Sequence, residues 1–114
     1  MRALNRSALV VRPNPPFLDW LHTVDPTSQA LTLADLTREP TIYLVDEYDD
    51  PDDERARLQA VYATIFEDQL DGWWRDQAMW PTPRSLAAFR RWFDCQFHST
   101  LVDLADEPLI EEEI

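Results

Sequence analysis

The scarcity of glycine limits the folds open to this chain. Its 114 residues include one glycine, Gly72, and nine prolines. The tight turns of β-hairpins favour residues that adopt positive φ, usually glycine or asparagine, and the single Asp-Gly pair, Asp71-Gly72, follows a helical pattern instead. We therefore expect successive strands to be joined through helices, which favours an α+β or α/β fold over a sandwich or a barrel.

Hydrophobic spacing and capping residues divide the chain into elements in the order β-α-(α)-β-α-α-β. The expected product is a single domain in which helices cover a sheet of about three strands. We predict a globular part over residues 1–104 and an acidic tail over 105–114. The predicted strands cover residues 7–12, 41–45 and 97–104. The first two predicted helices begin at Pro15 and after a capping box at Thr32. The third runs from about Pro51, after an N-cap at Asp50, to Asp71, and the fourth begins at Pro83 after an N-cap at Thr82.

The segment from Thr41 to Val45 is the clearest strand in the chain. It combines β-branched and aromatic residues and is apolar at successive positions, with Pro40 before it. A continuous apolar run is typical of a strand that is buried on both faces. We therefore predict that it lies in the interior of the sheet.

The charge of the chain restricts its partners. Ten arginines, with no lysine, stand against 22 carboxylates, and the formal net charge is -12. Nucleic acids and anionic membranes bind proteins that neutralise their phosphates, so neither is an expected partner. No apolar run is long enough to span a membrane, and no apolar stretch follows the N-terminal residues as in a signal peptide. We expect a soluble cytoplasmic protein whose charged partner, if it has one, is basic; self-association remains open.

Residue types also exclude several reactions and cofactors. Without lysine, the chain has no Schiff-base residue and no phosphate-loop lysine. One glycine excludes glycine-rich nucleotide motifs, and one cysteine with two histidines excludes a structural zinc site and an intramolecular disulfide. We predict no cofactor and no metal site. A non-catalytic role is favoured over an enzymatic one, and both stay open at this point.

An acidic run between residues 46 and 54 is the first candidate for partner binding. Seven of these nine positions carry a carboxylate, more than a helix start needs to complement its dipole. A solvated helix start is the simpler explanation, and a Mg²⁺ or Ca²⁺ site is disfavoured because the spacing matches no known loop. The candidate partner-binding residues in this run are Asp49, Asp50, Asp52 and Asp53.

Tryptophans supply the second candidate surface. Four of the five lie between Gly72 and Leu104, a stretch on which the rest of the chain is expected to pack. Tryptophan is enriched at interface hot spots, so Trp73, Trp74 and Trp80 are candidate partner-binding residues. The competing interpretation is that all five tryptophans pack inside the protein.

A cleft is the alternative site. Trp80, Arg84, Trp92 and His98 are predicted to line it, with Cys95 beside His98 as a cysteine–histidine pair. Such a pair forms a reactive thiolate only when the two side chains meet. Otherwise Cys95 is a small buried apolar residue, and this is the interpretation that we favour.

Several short motifs resemble a family of small uncharacterised bacterial proteins. They are Asn5-Arg6, Arg12-Pro13-x-Pro15-Pro16-Phe17-x-x-Trp20, Trp80-Pro81, and Arg91-Trp92-Phe93 with Phe97-His98. The resemblance covers nearly the whole chain and implies a soluble, single-domain bacterial protein. It implies no activity and no catalytic residue.

Two functions therefore remain. The first is a non-catalytic protein-interaction or regulatory protein with an acidic face and a tryptophan-rich surface. The alternative is a small enzyme or ligand-binding domain that uses the cleft of aromatic, arginine and histidine side chains.

Overall fold

The computed structural model describes residues 1–114 as an α+β domain, which confirms the predicted fold class. Its main sheet has three strands, in the order β3-β2-β4, and both neighbouring pairs are antiparallel. Helices join the strands of this sheet, as the shortage of glycine predicts. The strands are β1 (Arg2–Ala3), β2 (Arg6–Pro13), β3 (Thr41–Asp46), β4 (Phe93–His98) and β5 (Val102–Asp103), and the helices are α1 (Pro15–Val24), α2 (Leu33–Thr37), α3 (Asp53–Asp71) and α4 (Leu86–Trp92).

Local sequence explains most of the helix boundaries. Helix α1 begins at Pro15, whose fixed φ suits a first helical position. Thr32 and Asp35 form the predicted capping box at the start of α2. Helix α3 ends at Asp71 as predicted but begins at Asp53, because the backbone from Pro51 to Asp52 forms a turn first. Its N-cap position is therefore Asp52, and the N-cap predicted at Asp50 is wrong.

The last third of the chain differs from the prediction. Helix α4 begins after Ser85, whose side chain accepts a hydrogen bond from the N–H of Ala88, so the N-cap predicted at Thr82 is wrong. The following strand begins directly at Phe93 and ends at His98. The strand predicted over 97–104 is therefore wrong in its boundaries. Its second half forms β5, which pairs with β1 in a separate two-stranded ribbon.

The position of β3 also corrects a prediction. It lies at the edge of the sheet, and β2 is the central strand. Ile42 is 60% exposed and Leu44 is 53% exposed, whereas Val45 is buried on the opposite face. The apolar run reflects a strand that has one face in the core and an apolar face towards solvent.

Helices cover only one face of the main sheet. Leu9, Val11 and Val45 point from this covered face into the core and pack with α1, α3 and α4. The core contains a cluster of edge-to-face and tilted aromatic pairs centred on Phe17, Phe66 and Phe93. We call the other side, formed by alternate residues of β2, β3 and β4, the open face. No helix of the structure is both long enough and apolar enough to cross a membrane.

Candidate interaction surface

The acidic loop, residues 46–54, is held to the body of the protein by two side chains. Tyr48 is 6% exposed, its hydroxyl donates to a carboxylate oxygen of Glu54 at 2.9 Å, and its ring packs edge-on against Phe97. The guanidinium of Arg57 donates to the carbonyl oxygens of Asp46 and Glu47, both at 3.1 Å. These contacts fix the loop backbone although its outer side chains are solvated.

The four carboxylates predicted to bind a partner all lie on the outside of this loop. Asp49, Asp50, Asp52 and Asp53 are exposed, and none of them forms an ion pair within the protein. Asp50 accepts a hydrogen bond from the backbone N–H of Asp52 at 2.9 Å. Asp52 occupies the N-cap position of α3, but its side chain makes no cap hydrogen bond. The fold therefore uses one of these four side chains for a local turn and leaves the others to solvent.

A groove opens beside the acidic loop. It has a volume of about 510 Å³ and lies between the start of α3, the end of α4 and strand β4. Leu58 and Phe97 form its apolar part. Its charged lining carries both signs. The acids are Asp52, at the N-cap position of α3, and Glu54, in the first turn of that helix; the arginines are Arg55 of α3 and Arg90 of α4.

The groove contains residues that sequence patterns do not associate with the acidic run. Arg90 and Phe97 lie about forty positions away along the chain, and only packing of α3 against α4 and β4 brings them to Asp52. Arg55 follows the run directly, but no local sequence pattern distinguishes it from the other arginines on helices. Sequence analysis therefore found one wall of the groove and missed the other.

The three candidate tryptophans have different environments. Trp80 is 8% exposed, and its indole N–H donates to the carbonyl oxygen of Trp74 at 2.7 Å. Trp74 is half-buried, and its own indole nitrogen is buried without a hydrogen-bond partner. Trp73 is 41% exposed. Only Trp73 thus offers a large part of its ring to a partner.

The residues of the alternative cleft do not converge on one cavity. The guanidinium of Arg84 lies 5.6 Å from the ring centre of Trp80 and 3.8 Å from Glu67. Trp92 packs against Phe17 and Phe66 in the core. These contacts stabilise the fold and do not line an open site.

Cys95 and His98 point to opposite sides of the sheet. Both lie on β4, three positions apart, and successive side chains of a strand alternate between its faces. Burial, with a smaller contribution from Asp94, raises the pKa of Cys95 to about 11, although nearby Arg90 lowers it slightly. The cysteine is therefore a neutral thiol near pH 7, without an adjacent imidazole to activate it.

No cluster of three or more histidine, cysteine, aspartate or glutamate side chains is arranged to hold a metal ion. Acids of the loop lie on the outside of a turn and do not converge on a shared point. The arrangement suits long-range attraction of a cation-rich surface better than coordination of one ion.

No family model, curated protein or solved structure matches this chain.

Proposed function

We propose that this protein is a non-catalytic interaction protein that binds a basic protein segment with its acidic loop. The observation that carries the proposal is the contrast within the loop. Its backbone is anchored by Tyr48 and Arg57, whereas the side-chain carboxylates of Asp49, Asp52 and Asp53 make no hydrogen bond or ion pair inside the protein. A rigid backbone that presents unpaired charges needs little ordering when a partner binds.

The groove next to the loop supports a more specific description of the partner. Leu58 and Phe97 provide an apolar floor, and Asp52 lines the adjacent wall. A segment with an apolar side chain between lysines or arginines matches this combination. Its apolar group fits over the floor, and its cations face the loop carboxylates.

The acids are also more numerous than the stability of α3 requires. Only Asp53 and Glu54 lie in the first turn of the helix, and Asp52 at the N-cap makes no capping bond. Each acid near a helix N-terminus contributes about 0.3–1 kcal/mol at most, and mutual repulsion offsets part of that. Replacement of three acids by amides is therefore expected to leave thermal stability unchanged or to raise it.

The proposal is tested with the triple variant Asp49→Asn, Asp52→Asn and Asp53→Asn. The probe is a synthetic peptide of alternating arginine–lysine pairs and leucines, with binding measured by calorimetry at several salt concentrations. Exposed ion pairs contribute about 0.2–1 kcal/mol each, so the variant should bind about tenfold more weakly at low salt. The difference should shrink as salt increases.

A matched control separates the loop from the net charge. Asp19→Asn, Glu39→Gln and Asp106→Asn change the charge by the same amount at exposed positions that make no side-chain hydrogen bond or ion pair. The control should bind the peptide nearly as well as the unmodified protein. Equal losses in both triple variants would show that the loop has no special role, and unfolding of the loop variant would show that its acids are structural.

Arg55 and Arg90 support a second candidate function, a ligand-binding domain for a small anion. Both guanidinium groups line the groove, and neither forms an ion pair with a carboxylate. The groove has the volume of an ordinary small-ligand site. This function predicts that inorganic phosphate or a small dicarboxylate binds with a stoichiometry of one, and that Arg55→Gln with Arg90→Gln abolishes binding while the triple acid variant strengthens it.

A further inference from the structure

The centre of the open face is apolar, although no helix covers it. In the register of the sheet, Val10 lies beside Ile42, and Ala8 lies beside Leu44. These four side chains form two adjacent apolar rows. Ala8 and Val10, on the central strand, are already buried, whereas Ile42 and Leu44, on the edge strand, are more than half exposed. A solvated face of an antiparallel sheet is ordinarily polar, so an apolar one indicates that something covers it.

Charges border these rows at both ends. Arg6 is paired in the register with Asp46 at one end, and Arg12 with Asp94 at the other. Two arginines and two aspartates leave this face without net charge, in a chain whose overall charge is -12. The open face therefore repels an acidic segment less than the overall charge of the chain would suggest.

The acidic tail already reaches the border of this face. Arg2 forms an ion pair with Asp103 at 3.1 Å and donates to the carbonyl oxygens of Ala105 and Glu107. These bonds direct the tail towards a cavity of about 320 Å³ that Leu44 and Arg6 line together with tail residues. The tail residues in that cavity are Leu109, Ile110 and Glu111.

The tail stops short of covering the apolar rows. Leu109 is 69% exposed and Ile110 is 89% exposed, so both have apolar surface still to bury. An extended chain rises about 3.3 Å per residue, so residues 110 to 114 reach about 13 Å. That is enough to cross the roughly 6.6 Å that separates two positions on one face of a strand, from Leu44 to Ile42.

We infer that the open face is a docking surface for the chain's own acidic tail, residues 108–114. In the docked form, Ile110 covers Leu44 and Ile114 covers Ile42, the two exposed side chains of the rows. The three glutamates at 111–113 then lie between these two positions, with Arg6 and Arg12 at the opposite ends of the rows. This surface is distinct from the groove beside the acidic loop, so the inference does not depend on the proposed function.

The tether makes this weak contact effective. A free peptide of this length buries little surface and is expected to bind only weakly. Joined to the body through β5, the tail has an effective concentration in the millimolar range, as is usual for short linkers. Docking therefore removes the exposed apolar side chains of this edge strand from contact with water and with other apolar surfaces.

The inference is tested by methyl NMR on the full chain and on a chain that ends at Leu104. The truncation should shift the methyl resonances of Val10, Ile42 and Leu44 and leave those of Ile65, which is buried in the core, unchanged. The double variant Ile110→Asp with Ile114→Asp should produce the same shifts. Met79→Asp, at an exposed position elsewhere, adds a negative charge without touching the tail or the face and should produce none of them.

A crosslinking experiment distinguishes the tail from other occupants. In a Cys95→Ala background, the pair Ile42→Cys with Ile114→Cys should form an intramolecular disulfide about tenfold faster than a control pair Ala60→Cys with Ile114→Cys, because docking raises the local concentration. Ala60 is exposed on α3, which packs on the covered side of the sheet. Equal rates in the two pairs, or unchanged methyl shifts on truncation, would overturn the inference. A disulfide that forms between two molecules, with shifts that depend on protein concentration, would assign the face to a second copy of the chain instead.

Discussion

Trp74 and Trp80 provide a paired test of how hydrogen bonding contributes to this core. The indole N–H of Trp80 donates to the backbone carbonyl oxygen of Trp74, whereas the indole N–H of Trp74 is buried without a partner. Replacing either residue by phenylalanine removes the indole N–H and part of the ring. The two substitutions therefore remove the same atoms, but one removes an indole N–H that makes a hydrogen bond and the other removes an indole N–H that makes none.

The expected cost at Trp80 has three sources. The smaller ring buries roughly 40 Å² less apolar surface, which is worth about 1 kcal/mol. The carbonyl of Trp74 loses its partner, at about 1–3 kcal/mol when it stays buried. The contact of Arg84 with the Trp80 ring, at 5.6 Å, also weakens. Trp80→Phe should thus lower the free energy of unfolding by about 2–4 kcal/mol.

The two corresponding terms oppose each other at Trp74. Trp74→Phe loses up to about 1 kcal/mol of apolar burial but also removes a buried donor without a partner, which costs about 1–3 kcal/mol in the unmodified protein. The net change should therefore lie between about zero and a stabilisation of about 2 kcal/mol. Trp20, whose N–H donates to the carbonyl oxygen of Met79 at 2.9 Å, serves as a second bonded example and should behave like Trp80.

Urea unfolding followed by far-UV circular dichroism measures these differences. The free energies of unfolding of the Trp80 and Trp20 variants should fall below that of the Trp74 variant by at least about 2 kcal/mol, with unchanged m-values. Equal losses at Trp74 and Trp80 would refute the argument, because hydrogen bonding would then make no difference. A loss at Trp74 alone would refute it more strongly.

Four further measurements test other parts of the structure. The raised pKa of Cys95 predicts slow alkylation at neutral pH, and Cys95→Ala should keep peptide binding; rapid modification near pH 7 would indicate an activated thiolate. Burial, together with Glu54, raises the pKa of Tyr48 to about 12, so the folded protein keeps this phenol protonated while the unfolded chain ionises near pH 10. Stability from this group should therefore be complete below pH 10 and be lost between about pH 10 and 12, and Tyr48→Phe should flatten that decline. In a chain that ends at Leu104, Ile42→Thr with Leu44→Thr should change the free energy of unfolding by less than about 1 kcal/mol, since both side chains are exposed, and should reduce dye binding to apolar surface. Titration calorimetry with Mg²⁺, Ca²⁺ and Zn²⁺ should show no stoichiometric micromolar site, because no set of ligands converges.

Local sequence was sufficient for the features that depend on neighbouring residues. The start of α1 at Pro15, the capping box at Thr32 and the end of α3 at Asp71 follow from capping chemistry and helical spacing. The absence of glycine turns correctly predicted strands joined through helices, because hairpin turns need backbone conformations that few other residues adopt. The excess of acids on the loop is likewise a property of composition and requires no contact.

Features that depend on which elements meet needed the tertiary structure. Nothing marks the passage from α4 into β4 at Phe93, since no glycine or proline separates them, and the predicted strand therefore began four positions late. That shift matters for chemistry, because the position of the strand decides which face carries Cys95 and which carries His98.

The role of β3 shows the same division. Its apolar run correctly predicted a strand, since β-branched and aromatic residues suit the pleated backbone. Whether such a strand lies inside the sheet or at its edge depends on how many strands pair with it. Because β3 pairs with β2 and with no other strand, it lies at the edge, and Ile42 and Leu44 are exposed.

The groove shows the same dependence on tertiary structure. Its acidic wall was visible in the sequence, whereas Arg90 and Phe97 joined it through packing between segments far apart along the chain. Long-range packing depends on the shapes of whole elements, which no local pattern records.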